Sequence, residues 1–198
     1  MTEDPTIRQV KEFEYRLDKL RKQILAANIH FNICIDLWPT KERVNVINRY
    51  RGYFIPARSA HFNQFAIIIY NIFRNKANAP SFHNIFKMIS MNPILTPGLD
   101  PRLLANRLKK HNNTKDAIIS YRNKTAAHSY LSFDVNGKPS LNEEKLKRKP
   151  IIFGATKRLL EEMKEIFNIV SEAHSKALWS FEPQEFKHTQ YMLDKLES

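Results

Sequence analysis

Apolar side chains recur at alternating spacings of three and four between residue 5 and about residue 37. They are Val10, Phe13, Leu17, Leu20, Ile24, Ala27 and Phe31. Because an α-helix has about 3.6 residues per turn, these positions form one apolar stripe along a single long helix. Trp38 and Pro39 end it, since the residue before a proline avoids helical backbone angles. We therefore predict a helix over 5–37 whose stripe packs on the rest of a bundle or on a second subunit.

Glycine is scarce, with four residues among 198. Glycine supplies the positive φ that tight turns require, so few such turns are expected, and a helical fold is favoured over a sheet. A hydrophobic content of 42% and an aromatic content of 11% argue against disorder. The sequence thus predicts an all-α fold, and we place all of 1–198 in one domain.

The core of the predicted bundle lies at 41–128. Its first helical region runs from Lys41 to Asn75 and is predicted to be interrupted near Pro56, because proline lacks the N–H of an interior helical residue. Polar residues that cap helices predict three further starts. They are Ser81, Asp100 (followed by Pro101) and Thr156, which begins the C-terminal helices at 156–198.

The segment 129–150 is predicted to be an insert in this helical chain. Residues 130–135 alternate in polarity and lead into Asn136-Gly137, a sequence typical of a hairpin turn. Pro139 weakens the second strand. We therefore expect at most a small β-hairpin near 130–140.

The charge balance points to an anionic partner. The formal net charge is +12, from 32 Lys and Arg against 20 Asp and Glu. Such an excess is most often found in proteins that bind nucleic acid, and the alternative is a basic, well-solvated surface. No signal peptide is visible, and the longest apolar run, Phe65–Tyr70, is too short to span a bilayer. We expect a cytoplasmic protein with no membrane partner.

Several kinds of site have no support in the sequence. The single cysteine, Cys34, allows no disulfide within the chain and is interpreted as a core residue. The glycines form no phosphate-binding loop, and no two histidines have the three- or four-residue spacing of a helical zinc site. We expect no cofactor and no metal, so any nuclease chemistry would be metal-independent.

One stretch, Ser120 to Tyr130, carries the residues best suited to phosphate chemistry. Asn113-Thr114 is a predicted N-cap upstream, so the stretch ends a helix. Arg122 offers a permanent charge whose planar fork matches phosphate oxygens, and His128 can take and give a proton near neutral pH. Six positions at ~100° each leave the two side chains ~120° apart on a regular helix. The alternative is an ordinary basic helix end with a surface histidine.

The string Tyr121-Arg-Asn-Lys-Thr-Ala-Ala-His128 resembles the R-x(4–6)-H signature of the HEPN superfamily (higher eukaryotes and prokaryotes nucleotide-binding). In that signature a polar residue commonly follows the arginine, as Asn123 does here. The string is similar to the form found in the AbiU-like, abortive phage infection branch. The order of apolar helices from about Arg51 to His128 is also similar to that branch.

This resemblance implies a HEPN-like bundle of four main helices plus additional helices, dimerising with its motifs at the interface. It implies a metal-independent endoribonuclease with Arg122 and His128 as catalytic residues and Asn123 in support, orienting His128 or a phosphate. Such enzymes serve as toxins of toxin–antitoxin or abortive infection systems. Lys124 and Arg58 are candidate substrate-binding residues, although an arginine at the start of a helix is more often a surface residue.

Two other functions remain open. The first is a non-catalytic module that binds RNA or nucleotides, or the regulated partner of a nucleotidyltransferase antitoxin. In the superfamily such antitoxins modify a tyrosine two residues after the motif histidine, and Tyr130 stands at that place. The second is a purely structural helical protein, against which only the charge and the motif argue.

Overall fold

The computed structural model of the protein describes residues 5–128, 150–181 and 186–197. All regular structure in these ranges is helical, which confirms the all-α prediction, and none of it is a β-strand. The predicted hairpin near 130–140 lies outside the described residues. The α-helices are α1 (Pro5–Asp36), α2 (Val44–Arg49), α3 (Arg51–Phe73), α4 (Phe82–Met91), α5 (Pro101–Lys109), α6 (Asn112–His128), α7 (Phe153–Ser175) and α8 (Phe186–Glu197), with a 3₁₀ turn at Pro93–Leu95.

The long first helix packs its apolar stripe on the protein's own core. Six of the seven stripe residues are buried, and Val10 is partly buried against the same core. α1 packs mainly on α3, with further contacts to α4, α7 and α8. The stripe therefore serves the bundle of its own chain rather than a second subunit.

α3 lies at the centre of the bundle, between α1 and α6. Its buried residues point in several directions around the helix, as expected for a helix covered on more than one side. They are Phe54, Phe65, Ala66, Ile68, Ile69 and Ile72. α1 and α3 are antiparallel, because Phe31 meets Phe65 while Trp38, two residues beyond the end of α1, meets Arg58, nearer the start of α3.

The predicted interruption near Pro56 is wrong. The chain breaks at Tyr50, between α2 and α3, and α3 continues through Pro56. Tyr50 supplies the carbonyl that accepts the first two backbone hydrogen bonds of α3, from Tyr53 and Phe54. Pro56 lies in the second turn of α3. Its missing N–H removes one backbone hydrogen bond there, but the helix continues to Phe73.

Two predicted caps are confirmed and two are misplaced. The Ser81 side chain accepts a hydrogen bond from the backbone N–H of Asn84, and Asp100 accepts one from Arg102 with Pro101 following. α7 begins at Phe153, three residues before the predicted cap at Thr156, whose buried hydroxyl instead donates to the carbonyl of Ile152. α6 begins at Asn112, so Asn113-Thr114 lies inside its first turn.

A smaller apolar cluster joins α8 to the junction of α1, α2 and α3. Its buried residues are Leu37, Val46, Ile47, Phe54 and Leu193. Cys34, near the end of α1, is buried as predicted, with 1% of its surface exposed. The main core and this smaller cluster together hold the end of α1 and the start of α3, which border the candidate site.

The turn before α4 depends on one buried amide. The Asn84 Nδ2 donates to the carbonyl oxygens of Lys76, at 2.8 Å, and Ala79, at 2.7 Å. Asn84→Asp keeps the shape of the side chain but removes both donated bonds and places a carboxylate against two carbonyls. Because a buried polar group left unsatisfied costs about 1–3 kcal/mol, we expect a loss of at least ~2 kcal/mol in the free energy of unfolding. Urea unfolding followed by circular dichroism measures it.

Asn48→Asp is the matched control, because Asn48 is exposed on α2. It should change the free energy of unfolding by no more than about 0.5 kcal/mol, as is usual for surface substitutions. Equal stability of the two variants would show that the Asn84 amide does not hold the turn.

Candidate functional site

The helix that carries the predicted motif is fixed to α3 just before Arg122. Ala117 and Ile118 are buried, and the Tyr121 hydroxyl donates to Asn63 Oδ1 at 2.7 Å. The Tyr121 ring also meets Phe62 edge to face, with 4.8 Å between the centroids. This hydrogen bond and this aromatic contact, together with the buried residues, hold α6 on α3 where the candidate residues begin.

Arg122 is half-buried and oriented by two neighbours. Its guanidinium carbon lies 4.4 Å from the centroid of the Tyr70 ring on α3, and Nη1 donates to Asn123 Oδ1 at 3.0 Å. Within the described residues, no carboxylate lies within ion-pair distance of it. The guanidinium therefore keeps its full charge and has donors left for an anion such as phosphate.

The Asn123 side chain has a contact with Arg122. Its carbonyl oxygen accepts a hydrogen bond from the guanidinium, and its expected role in orienting His128 or a phosphate stays a prediction. The reason for this contact is local: adjacent residues at the exposed edge of α6 bring a fork of donors within reach of an amide oxygen. Asn123 thus helps to orient the Arg122 guanidinium.

The backbone of α6 stays helical through His128, its last residue. The positions of Arg122 and His128 are therefore ~120° apart around the helix and ~9 Å apart along it, as the spacing predicts. The side chains of Lys124 and His128, and all of Tyr130, lie outside the described residues. The structure brings Arg122 and Asn123 together, and the roles of all five of these residues stay predictions.

Arg58 lies at an aromatic cavity with a volume of about 370 Å³. Arg58 is about 60 residues from the motif in sequence, but Ser120 and Tyr121 of the motif stretch line the same cavity. The aromatic cavity is bordered by the end of α1, α3, α6 and the start of α7. Its lining includes Trp38, Arg58, Phe62, Tyr121 and Phe153. The Arg58 guanidinium stacks on Trp38, at 4.5 Å from the ring centroid, and no carboxylate of the described residues pairs with it.

Cys34 also lines the aromatic cavity, but as an apolar wall. Burial raises the pKa of its thiol to about 11, against a smaller opposite effect of the Arg58 charge. A thiol with that pKa is neutral at pH 7, and only the thiolate is a good nucleophile. Cys34 therefore contributes packing rather than chemistry.

Two histidines form a pair that sequence spacing did not reveal. The Nδ1 atoms of His30, on α1, and His61, on α3, lie 2.8 Å apart. At that distance one imidazole donates and the other accepts, so at least one ring is neutral. The residues are 31 positions apart, and only the antiparallel packing of α1 on α3 joins them, so no local motif could have indicated the pair.

Their surroundings disfavour protonation. Burial lowers the pKa of both imidazoles below the usual value, and for His30 the neighbouring charge of protonated His61 lowers it further. A proton on each ring would also turn the hydrogen bond between them into a repulsion between two donors. The pair is therefore a neutral contact between α1 and α3 at pH 7.

No group of three or more His, Cys, Asp or Glu side chains in the described residues is arranged to hold a metal ion. None of their helices combines the length and the apolar character needed to cross a membrane.

Comparison of the chain with models of protein families, with characterised proteins and with solved structures finds no match. Function is therefore inferred from the residues of this chain and their geometry.

The histidine pair makes stability depend on pH. The folded pKa values of His30 and His61 lie below the unfolded value of about 6.5, so below that pH the unfolded chain binds more protons. Stability is therefore complete above about pH 7 and falls as pH drops through 6.5, by up to ~1.4 kcal/mol per pH unit for each proton. His61→Gln should make this decline shallower, as measured by urea unfolding at several pH values.

His83→Gln is the control, because His83 is exposed on α4 and has no histidine partner among the described residues. Its profile should follow that of the wild type. Parallel profiles for the wild type and His61→Gln would rule out the pair as the source of the pH dependence.

Proposed function

We propose that the protein is a metal-independent endoribonuclease of the HEPN type that acts as the toxin of a toxin–antitoxin or abortive infection system. The observation that supports this best is the state of Arg122. Tyr70 and Asn123 orient its guanidinium, and no described carboxylate neutralises it, on the helix whose last residue is His128. The net charge of +12 suits a polyanionic substrate.

The proposed reaction needs only acid–base and electrostatic catalysis. A histidine removes the proton of the RNA 2′-OH, whose oxygen attacks the adjacent phosphorus. The bond from phosphorus to the 5′-oxygen breaks, and a second histidine protonates that leaving oxygen. The arginine stabilises the negative charge that builds on the phosphorane. The products are a 2′,3′-cyclic phosphate and a free 5′-hydroxyl.

This scheme uses two histidines, whereas each chain offers one at the motif. Positions 122 and 128 also diverge by ~120° on the continuous helix α6. A two-fold dimer with the ends of both α6 helices at its axis supplies two copies of Arg122 and His128 to one cleft. We therefore propose a homodimer as the active form.

The continuity of α6 also favours a second candidate function. A single chain whose arginine and histidine positions diverge retains the charge to bind RNA but lacks the geometry to cut it. In that case the protein is a non-catalytic RNA- or nucleotide-binding module, or the regulated partner of a nucleotidyltransferase antitoxin that modifies Tyr130. RNA cleavage separates the two candidates.

We expect Arg122→Ala and His128→Ala each to abolish cleavage of RNA. Loss of a general acid or base typically lowers the rate by ~10²–10⁴-fold, and loss of the arginine removes charge stabilisation of comparable size. Cleavage of a labelled RNA by the wild type should continue in EDTA. The controls are Arg49→Ala and His83→Ala, which change exposed residues of the same types on α2 and α4.

Binding of the same RNA, measured at several salt concentrations, completes the comparison. His128→Ala should still bind, with affinity falling as salt rises because counterions are released on binding, whereas Arg122→Ala should bind more weakly. If the wild type binds RNA but leaves it uncut between about pH 6 and 8, the binding module replaces the nuclease. If it binds no RNA even at low salt, both proposals fail.

The proposed dimer predicts a solution mass of about twice 23.3 kDa. Light scattering at micromolar protein measures it. Because α1 buries its stripe within the chain, a polar substitution on that stripe would unfold the protomer and is not a test of dimerisation. A wild type that cuts RNA while strictly monomeric would remove the mechanism with two histidines.

A further inference from the structure

We propose that the aromatic cavity binds one unpaired nucleobase of the RNA strand, with an adjoining phosphate of the strand held by Arg58. The identity of the strand as RNA rests on the proposed function. The binding of a base with its phosphate follows from the cavity itself.

Four aromatic rings line the cavity and are fixed in place by contacts with one another. Trp38 packs edge to face on Phe153, at 4.8 Å between centroids, and Phe62 packs in the same way on Tyr121, also at 4.8 Å. Every nucleobase has a face that stacks on such rings, with about 1–3 kcal/mol gained per base. A volume of about 370 Å³ lies in the range of small-ligand sites.

Among the described residues, one positive group borders these apolar walls. Arg58 is half-buried, stacks on Trp38, and pairs with no carboxylate of the described residues. Stacking fixes the plane of the guanidinium and leaves its donors for a phosphate. Ser59 and Ser120 add hydroxyl groups to the lining, which can donate to or accept from the edge of a base. Planar apolar walls with one cation match a nucleobase joined to a phosphate.

The register of α6 connects the cavity to the motif. Ala117 and Tyr121 line the cavity, and position 128 follows them by eleven and seven residues. At ~100° per residue, all three positions lie within ~20–40° of one another around the helix, and position 128 is ~10 Å beyond Tyr121 along the axis. A base in the cavity would therefore lie on the side of α6 that ends at position 128. The cavity would select the base near the cleaved phosphate.

The two tryptophans of the chain allow a direct test. Trp179 lies elsewhere, stacked under Arg21, so Trp179→Phe leaves Trp38 as the only tryptophan. In this background we titrate the four ribonucleoside 5′-monophosphates, ribose 5-phosphate and octanoate against Trp38 fluorescence. Nucleotides should quench it with saturation, whereas ribose 5-phosphate, which has no base, should not.

Three further variants in the same background test the assignment. Arg58→Gln should weaken nucleotide binding about tenfold. Ser59 is an exposed residue of the lining, so Ser59→Leu adds bulk to the cavity and should abolish nucleotide binding. Arg49→Gln, an exposed arginine on α2, should leave it unchanged. Circular dichroism checks that each variant is folded, and the fluorescence of each is compared with its own ligand-free value.

Three outcomes would overturn the proposal. They are the absence of quenching at millimolar nucleotide, equal binding of ribose 5-phosphate and nucleotides, and tighter binding of octanoate than of any nucleotide.

The fluorescence test and the RNA cleavage test can fail independently of each other. If RNA is cut but no nucleotide quenches Trp38, the cavity proposal fails alone. If nucleotides quench Trp38 but no RNA is cut, the base site stands and belongs to a binding module.

Discussion

The antiparallel packing of α1 on α3 is the contact on which the rest of the structure depends. Phe31 and Phe65 meet at its centre, and each buried side chain of this size contributes about 1.5–3 kcal/mol. α3 is then covered by α6 on another side, so it presents Asn63 and Tyr70 to the motif helix. Both the orientation of Arg122 and the border of the aromatic cavity follow from where α1 places α3.

Arg107 lies in a different electrostatic environment from Arg58 and Arg122. Arg107 on α5 bridges to Glu162 and Glu165 of α7, whose carboxylates raise its pKa and neutralise its charge within the fold. Arg58 and Arg122 instead lie on aromatic rings, which orient a guanidinium without cancelling its charge. The first contact joins two helices, and the second leaves a fixed positive charge beside α6.

The same packing restricts how two subunits could assemble. Because the apolar stripe of α1 packs in the core of its own chain, a two-fold interface must use other surfaces. The end of α6 is the surface where assembly would matter for chemistry, since one helix cannot turn positions 122 and 128 toward the same phosphate. The divergence of positions 122 and 128 on α6 thus links the fold to the proposed mechanism.

The sequence by itself determined the local features of this protein. The stripe of α1, the caps at Ser81 and Asp100 and the burial of Cys34 each depend on residues within a few turns, so spacing and residue type were sufficient. The tertiary structure alone decided the placement of Arg122 on Tyr70, the pairing of His30 with His61 and the existence of the aromatic cavity. These contacts join residues between 20 (Trp38 and Arg58) and 115 positions apart (Trp38 and Phe153), and they arise from the way helices cross, which no periodicity along the chain records. The breaks at Tyr50 and before Phe153 belong to the same class, because packing and available backbone carbonyls outweighed the local signals of Pro56 and Thr156.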